Sequence, residues 1–339
     1  MRSPLRRLVS LTAIGLVVVL AGPALLAQSA AGRALSCREV PHWLQLPRGD
    51  TLGVVSGVSV DPQGHIVAFR RAGRVWDSDT LSTTPIPQAT VLVIDPATGA
   101  VVRSWGAGRF AMPHGLTVDH AGNVWLTDVA LQQVYEFGPT GKLLRTLGER
   151  GVAGSDSAHF NRPSGVAIAN DGSFYVSDGY VNTRVLHFRA DGYLMRKWGS
   201  PGAAPGQFNL VHGVALGERG RVYVADRENE RVQVFDTIGR VIAQWKSDAL
   251  GKPFALARGP AGTRWAGTWL VADGGRADYV AEPNAPSGIA VVGADGVVHA
   301  RFGEPGRGVL APLRPHALAI GKDGAVYVAG LRLAKFICP

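Results

Sequence analysis

Three histidines stand at the same place in a repeated sequence pattern, and together they could form a metal site. They are His114, His212 and His316, in the runs AMPHGLTVD, LVHGVAL and RPHALAI. Each introduces a short stretch in which apolar and polar residues alternate, as in a half-buried β-strand. Three neutral imidazoles that leave a fourth position open are typical of a catalytic zinc site. The six other histidines share no such register, so we interpret them as structural or surface residues.

The histidines belong to a repeat that covers most of the chain. Its best copies are residues 113–148, 162–199 and 210–246, and weaker copies cover 54–106, 251–303 and 314–339. Each copy contains short alternating runs separated by turns rich in Asp and Gly. Repeats of this length, made of four short strands, are typical of propeller blades. The sequence therefore predicts an all-β fold, a six-bladed β-propeller of four-stranded blades over residues 54–339.

The register of the repeat predicts where the three imidazoles meet. They belong to the second, fourth and sixth units, and the matching positions of the other units hold Ser56, Ser164 and Phe254. Alternate blades of a six-bladed ring are related by a third of a turn. We therefore expect the imidazoles to converge near the axis, at one mouth of the central channel.

The loops that join the second and third strands of each blade open at the same mouth. This geometry directs Arg71, Tyr180 and Arg227 towards the predicted metal. Guanidinium groups bind carboxylates bidentately, and a phenol can act as a base where neighbouring cations stabilise its phenolate. A metal, two guanidinium groups and a phenol together indicate a site for a small anionic substrate.

The chain resembles the peptidyl-α-hydroxyglycine α-amidating lyase (peptidylamidoglycolate lyase) family over roughly residues 54–336. The runs VSGVSVD, RVWD, PHGLTVD, YVSDGY, VADRENERVQ and PHALAI carry the resemblance. It implies NHL-type blades and zinc-dependent cleavage of the C–N bond of a peptidyl or N-acyl α-hydroxyglycine, giving a primary amide and glyoxylate. It also implies that the three histidines bind zinc, that Tyr180 is the catalytic base, that Arg71 lies near the reacting hydroxyl and that Arg227 binds substrate.

The resemblance further implies a structural calcium ion held by the backbone carbonyls of Val58 and Leu116. The family's aspartate after the third histidine is Ala317 in this chain, which argues against calcium. The family's methionine two positions before that histidine is Arg314, which places an additional positive charge near the mouth. The matched region contains no copper monooxygenase unit, so we expect the hydroxylated substrate to come from another enzyme.

Residues 1–30 have the pattern of a secretory signal peptide. Three arginines precede an apolar stretch over 8–27, which is followed by small residues. An uncleaved membrane anchor is the alternative, since the apolar stretch is long enough to span a bilayer. Either interpretation predicts an exported protein, periplasmic or extracellular.

The only two cysteines, Cys37 and Cys338, lie near opposite ends of the exported part of the chain. An isolated pair in an exported protein predicts one disulfide, and a closed ring would bring the two ends together. Residues 314–339 have room for about three strands only. We therefore expect the N-terminal segment 31–53 to supply the missing outer strand from within 38–50.

Charge and composition narrow the range of partners. The formal net charge of +9 falls to +6 without the arginines of residues 1–30, and there is no basic run interleaved with aromatic residues. Nucleic acid is therefore not an expected partner, and membrane contact is expected only through an N-terminal anchor. We expect a monomer that binds a small anion, either an N-acyl-α-hydroxyglycine or a peptide C-terminus.

Two other functions are compatible with a propeller. The chain could be a non-catalytic exported platform that binds a peptide, a glycan or a protein, since a fold does not fix a function. It could also be another metal-dependent enzyme, such as a lactonase. Those enzymes typically hold calcium with carboxylates and amides, and a set of three histidines without an acidic partner argues against them.

Overall fold

The structure is a computed structural model that describes residues 33–77, 79–275, 287–303 and 313–339. The predicted signal peptide, residues 1–30, lies outside these residues. Apart from a 3-10 turn at Glu218–Gly220, the described residues form no helix, and no segment among them could cross a membrane as a helix. Two short strands, β1 (Arg33–Ala34) and β2 (Arg38–Glu39), come first in the chain and belong to two of the six sheets.

The first four blades are antiparallel sheets whose strand order follows the chain. Blade 1 contains β3 (Val55–Val60), β4 (Ile66–Arg70), β5 (Val91–Ile94) and β6 (Val101–Trp105). Blade 2 contains β7 (Pro113–Val118), β8 (Val124–Asp128), β9 (Gln133–Phe137) and β10 (Leu143–Leu147). Blade 3 contains β11 (Pro163–Ile168), β12 (Phe174–Asp178), β13 (Arg184–Phe188) and β14 (Leu194–Trp198). Blade 4 contains β15 (Val211–Leu216), β16 (Val222–Asp226), β17 (Arg231–Phe235) and β18 (Val241–Trp245).

The last two blades include strands from the N-terminal segment. Blade 5 contains β19 (Pro253–Arg258), β20 (Thr268–Asp273), β21 (Gly288–Gly293) and β22 (Val298–Phe302), and β1 pairs in parallel with β22. Blade 6 contains β23 (Ala317–Ile320), β24 (Val326–Ala329) and β25 (Leu333–Ile337), and β2 pairs antiparallel with β25 as its fourth strand. The predicted disulfide joins Cys37 to Cys338 beside this pairing.

Contacts between the innermost strands close the ring. The strand β3 contacts β7, and contacts continue through β11, β15, β19 and β23 back to β3. The hydrophobic core lies between consecutive blades, as where Trp125 of blade 2 packs with Phe174 and Val176 of blade 3. The predicted all-β, six-bladed propeller is therefore confirmed.

The N-terminal segment also reaches blade 1. The Trp43 ring lies 5.1 Å from that of Tyr327, and its indole N–H donates to the carbonyl of Pro96 at 3.1 Å. A Cβ on Gly99 would lie 1.7 Å from the carbonyl oxygen of Trp43, so only glycine allows this approach. The segment therefore links blades 5, 6 and 1.

Buried aspartates fix the loops at the mouth where the imidazoles were expected. The second strands of blades 2 to 5 each end in an aspartate whose carboxylate accepts backbone N–H groups from the segment entering the innermost strand of the same blade. These contacts join Asp128 to Ala111 and Met112, Asp178 to Asn161, Asp226 to Asn209, and Asp273 to Lys252. Each carboxylate thus fixes the segment that enters its blade, and Asp178 and Asp226 directly precede the loops that carry Tyr180 and Arg227.

Candidate metal centre

The three imidazoles converge in the channel as the repeat register predicts. The ring centroids of His114, His212 and His316 form a nearly equilateral triangle with sides of 4.9, 4.7 and 4.7 Å. One nitrogen of each ring lies within 4.8 Å of the other two, and all three side chains are buried. His114 and His212 are the second residues of β7 and β15, whereas the sequence analysis placed all three before their strands.

Each imidazole is oriented by a backbone carbonyl of the next blade. The Nδ1 contacts join His114 to Ser164, His212 to Phe254 and His316 to Ser56, at 2.7, 2.8 and 2.7 Å. A carbonyl can only accept, so each Nδ1 carries the proton and each Nε2 presents a lone pair. The three blades that lack a histidine at the matching position therefore supply the carbonyl contacts that fix the tautomer of each imidazole. Contacts of this kind are typical of metal-ligating histidines. The sequence analysis named these positions but assigned them no role.

The environment keeps the three imidazoles neutral. Burial lowers the pKa of His114 and His212 well below the ordinary value, and the nearby His316 and guanidinium groups lower it further. Burial, together with Arg71 and Arg227, lowers the pKa of His316 to about 3. Neutral imidazole is the form that binds metal ions. The donor set, its protonation and its convergence therefore fit a divalent metal.

The Tyr180 hydroxyl lies directly against this set. Its oxygen is 2.9 Å from Nε2 of His114 and 3.1 Å from Nε2 of His212, and it donates its single proton to one of them. Burial raises the pKa of Tyr180 above its ordinary value, while the charges of Arg227 and Arg71 oppose that rise. The two guanidinium groups thus partly offset the effect of burial on the phenol.

A close backbone contact brings Tyr180 to the axis. The preceding residue, Gly179, approaches the innermost strand of blade 4, and a Cβ there would lie 1.6 Å from the carbonyl oxygen of Val211. Any larger residue would push the loop outwards. Glycine before Tyr180 is therefore required by the position of the phenol.

Arg71 lies beside the imidazoles, where the loop geometry predicts it. Its Nε donates to the carbonyl of Pro113 at 3.0 Å, and its guanidinium carbon is 5.1 Å from the centre of the Trp76 ring. That indole lies 5.1 Å from the Tyr180 ring and 6.2 Å from the His114 ring. Trp76 was not identified as a site residue from the sequence, because it belongs to the connection 71–90, which is much longer than the corresponding loops of blades 2, 3 and 4.

Arg227 lies on the other side of the phenol. Its guanidinium carbon is 4.9 Å from the centre of the Phe254 ring and 5.6 Å from that of Tyr180. Its Nε donates to Glu228 at 2.8 Å, and Lys252 donates to the same carboxylate at 2.7 Å. The sequence analysis did not single out Glu228 or Lys252.

Two other features predicted from the sequence are the calcium site and the positive charge of Arg314. Val58, Leu116 and Ala317 line the central channel, a cavity of about 380 Å³ whose described lining contains no carboxylate. Because calcium sites in proteins usually include carboxylates, the channel offers no second argument for calcium, and that site stays a prediction. Arg314 is fully buried, with Nη1 3.5 Å from the carbonyl oxygen of Gly274 in blade 5.

Comparisons with known proteins agree with the fold and identify relatives. The NHL repeat model matches residues 160–188 and 208–235. Peptidyl-alpha-hydroxyglycine alpha-amidating lyase 1 of Drosophila melanogaster is 36% identical over 316 residues, covering 84% of this chain and 57% of that protein. Peptidyl-glycine alpha-amidating monooxygenase B of Xenopus laevis is 36% identical over 300 residues, covering 82% of this chain and 33% of that protein. The chain thus spans between a third and just over half of these relatives.

Solved structures share the fold at low sequence identity. A streptogramin B lyase matches with a TM-score of 0.56 at 12% identity, covering 89% of this chain and 97% of the other. A gluconolactonase from Xanthomonas campestris matches with a TM-score of 0.59 at 14% identity, covering 86% and 88%. Propeller, repeat and relatives agree, and the chain belongs to the peptidyl-α-hydroxyglycine α-amidating lyase family.

Proposed function

We propose that the chain is a zinc-dependent carbon–nitrogen lyase that converts N-acyl-α-hydroxyglycine into a primary amide and glyoxylate. The observation that carries the proposal is the Tyr180 hydroxyl, which contacts Nε2 of His114 and of His212 between two guanidinium groups. Relatives named as amidating lyases support this activity.

The imidazole set is suited to zinc. Three neutral nitrogen donors, each oriented through Nδ1, leave one position of a tetrahedral site for substrate. When bound there by His114, His212 and His316, zinc would supply positive charge that lowers the pKa of the substrate hydroxyl and of the adjacent phenol. The chain's own residues then bind the substrate and move its protons.

Arg227 and Arg71 bind the substrate carboxylate and stabilise negative charge on the reacting oxygen. Tyr180, as phenolate, takes the proton of the α-hydroxyl. The oxygen electron pair forms the C=O bond of glyoxylate, the C–N bond breaks, and its electrons go to the amide nitrogen. The nitrogen takes the proton back from Tyr180, so the primary amide forms and the phenolate is restored.

The cellular setting belongs to the same proposal. The Cys37–Cys338 disulfide supports an exported protein, because such bonds persist in oxidising compartments. We assign the signal peptide to residues 1–30, the closing segment to 31–53 and the catalytic propeller to 54–339, acting as a monomer.

The test is a glyoxylate assay with metal analysis. Purified protein is incubated with an N-acyl-α-hydroxyglycine, and glyoxylate release is measured with a chelator, without it, and after zinc is restored. We expect about one zinc per chain and turnover that is lost and regained with the metal. The matched control is Tyr180→Phe, which keeps the ring. A metal-free protein that releases no glyoxylate would instead indicate a non-catalytic binding platform.

A further inference from the structure

The guanidinium group of Arg227 is held from several directions. The rings of Phe254 and Tyr180 face it at 4.9 and 5.6 Å, and Nε donates to Oε1 of Glu228 at 2.8 Å. The side chain is only 18% exposed. Arg227 therefore does not move freely at the mouth of the site.

Glu228 is itself fixed by a residue of the next blade. Lys252, just before β19, donates to Oε2 of Glu228 at 2.7 Å. The backbone on both sides is anchored, since Glu228 N–H donates to Asn209 at 2.9 Å and Lys252 N–H donates to Asp273 at 2.9 Å. Lys252, Glu228 and Arg227 form a chain of alternating charge that ends at the phenol.

Glu228 lies close enough to the site for its charge to raise the pKa of Tyr180. It stands two residues after Asp226, as Tyr180 stands two residues after Asp178. Burial raises the pKa of Glu228, but Lys252 and Arg227 outweigh it and hold the pKa below its ordinary value, so the carboxylate is ionised at neutral pH. A negative charge next to a site for a carboxylate substrate repels that substrate. Glu228 therefore needs a role that offsets this repulsion, and its contact with Arg227 supplies one.

We propose that Glu228, supported by Lys252, is a positioning residue that holds Arg227 in the orientation that binds the substrate carboxylate. The identity of that substrate rests on the function proposed above. Fixing a guanidinium group before binding lowers the entropy lost on binding, which is worth about tenfold in affinity for one flexible side chain. Positioning by Glu228 strengthens substrate binding, whereas repulsion by its negative charge weakens it. The direction in which the affinity changes when Glu228 is removed therefore tests the proposal.

The experiment compares Glu228→Ala and Glu228→Gln with the zinc-loaded protein as it exists. Positioning predicts that Glu228→Ala raises KM about tenfold while kcat stays within about threefold. Glu228→Gln keeps an acceptor for Arg227 Nε, so its KM should lie between those of the parent and the alanine variant. Lys252→Met, which releases Glu228, should also raise KM. Simple charge removal predicts the reverse for Glu228→Ala, namely a lower KM.

A binding measurement makes the result independent of turnover. The dissociation constant of an N-acylglycine, which lacks the α-hydroxyl, is measured by calorimetry and should rise by the same factor in Glu228→Ala. The control is Glu218→Ala, which removes the same charge from an ion pair with Arg258 at the opposite end of the strands. A Kd or KM that falls or stays unchanged in Glu228→Ala overturns the inference. Absence of glyoxylate release by the parent overturns the proposed function instead, and the calorimetry still decides the role of Glu228.

Discussion

The Cys37–Cys338 disulfide closes the ring, and its removal should cost much of the protein's stability. Without it, the two ends are held together at blade 6 by the two-residue pairing of β2 with β25 and by the ion pair between Glu39 and Arg332. The pairing of β1 with β22 and the contacts of Trp43 hold the N-terminal segment to its neighbours as well. A partly exposed ion pair of this kind contributes at most about 1 kcal/mol. The covalent link is therefore the principal constraint on the outer edge of blade 6.

The size of this stabilisation follows from the length of the loop that the disulfide closes. Cys37 and Cys338 are separated by 301 residues. In the chain-entropy model, such a loop removes enough freedom from the unfolded chain to stabilise the folded state by about 5–6 kcal/mol at 25 °C. That is a large part of the total free energy of unfolding of an ordinary domain, about 5–15 kcal/mol.

Urea unfolding, followed by tryptophan fluorescence, measures this contribution. The oxidised protein is compared with the double variant Cys37→Ser, Cys338→Ser, each with and without a thiol reductant. We expect the free energy of unfolding to fall by about 5 kcal/mol in the variant, and by a similar amount in the reduced parent. The reductant should leave the variant unchanged. A loss below about 1 kcal/mol would refute the view that the bond stabilises the fold by closing a long loop in the unfolded chain.

Three further outcomes test the site and its support. Tyr180→Phe should lower kcat by about 10²–10⁴-fold in the glyoxylate assay, because the proton acceptor is lost; unchanged turnover would exclude the phenol as base. His212→Ala should abolish stoichiometric zinc in elemental analysis while circular dichroism stays as in the parent, and full zinc retention would contradict the three-histidine centre. Arg184→Met leaves the buried Asp178 carboxylate without its 2.9 Å ion pair. The free energy of unfolding, measured in urea, should therefore fall by about 3–5 kcal/mol. Equal stability of variant and parent would mean that the carboxylate is neutral in the fold.

The repeat made most of the fold and the central imidazoles predictable from sequence. Six copies with one register determine which strands are innermost, and they bring together histidines that lie far apart in the chain. The same register could have identified Glu228, which occupies the position of Tyr180. Its partner Lys252 could not be identified in this way, because it reaches Glu228 through a contact between loops of adjacent blades. No local sequence pattern encodes such a contact. Arg33–Ala34 could not be predicted as a strand, because two residues have no measurable period.

The carbonyl contacts explain why the site uses every second blade. Each imidazole needs a partner for Nδ1, and the neighbouring innermost strand offers a carbonyl at the equivalent position. Placing the histidines on alternate blades gives each imidazole its own carbonyl partner on the next blade. The carbonyl belongs to the backbone, and the residue type at Ser56, Ser164 or Phe254 is therefore free to serve other contacts. Ser164 bonds the adjacent strands through its hydroxyl, and Phe254 faces Arg227. One repeated position thus orients the three imidazoles through its backbone and shapes the surrounding pocket through its side chains.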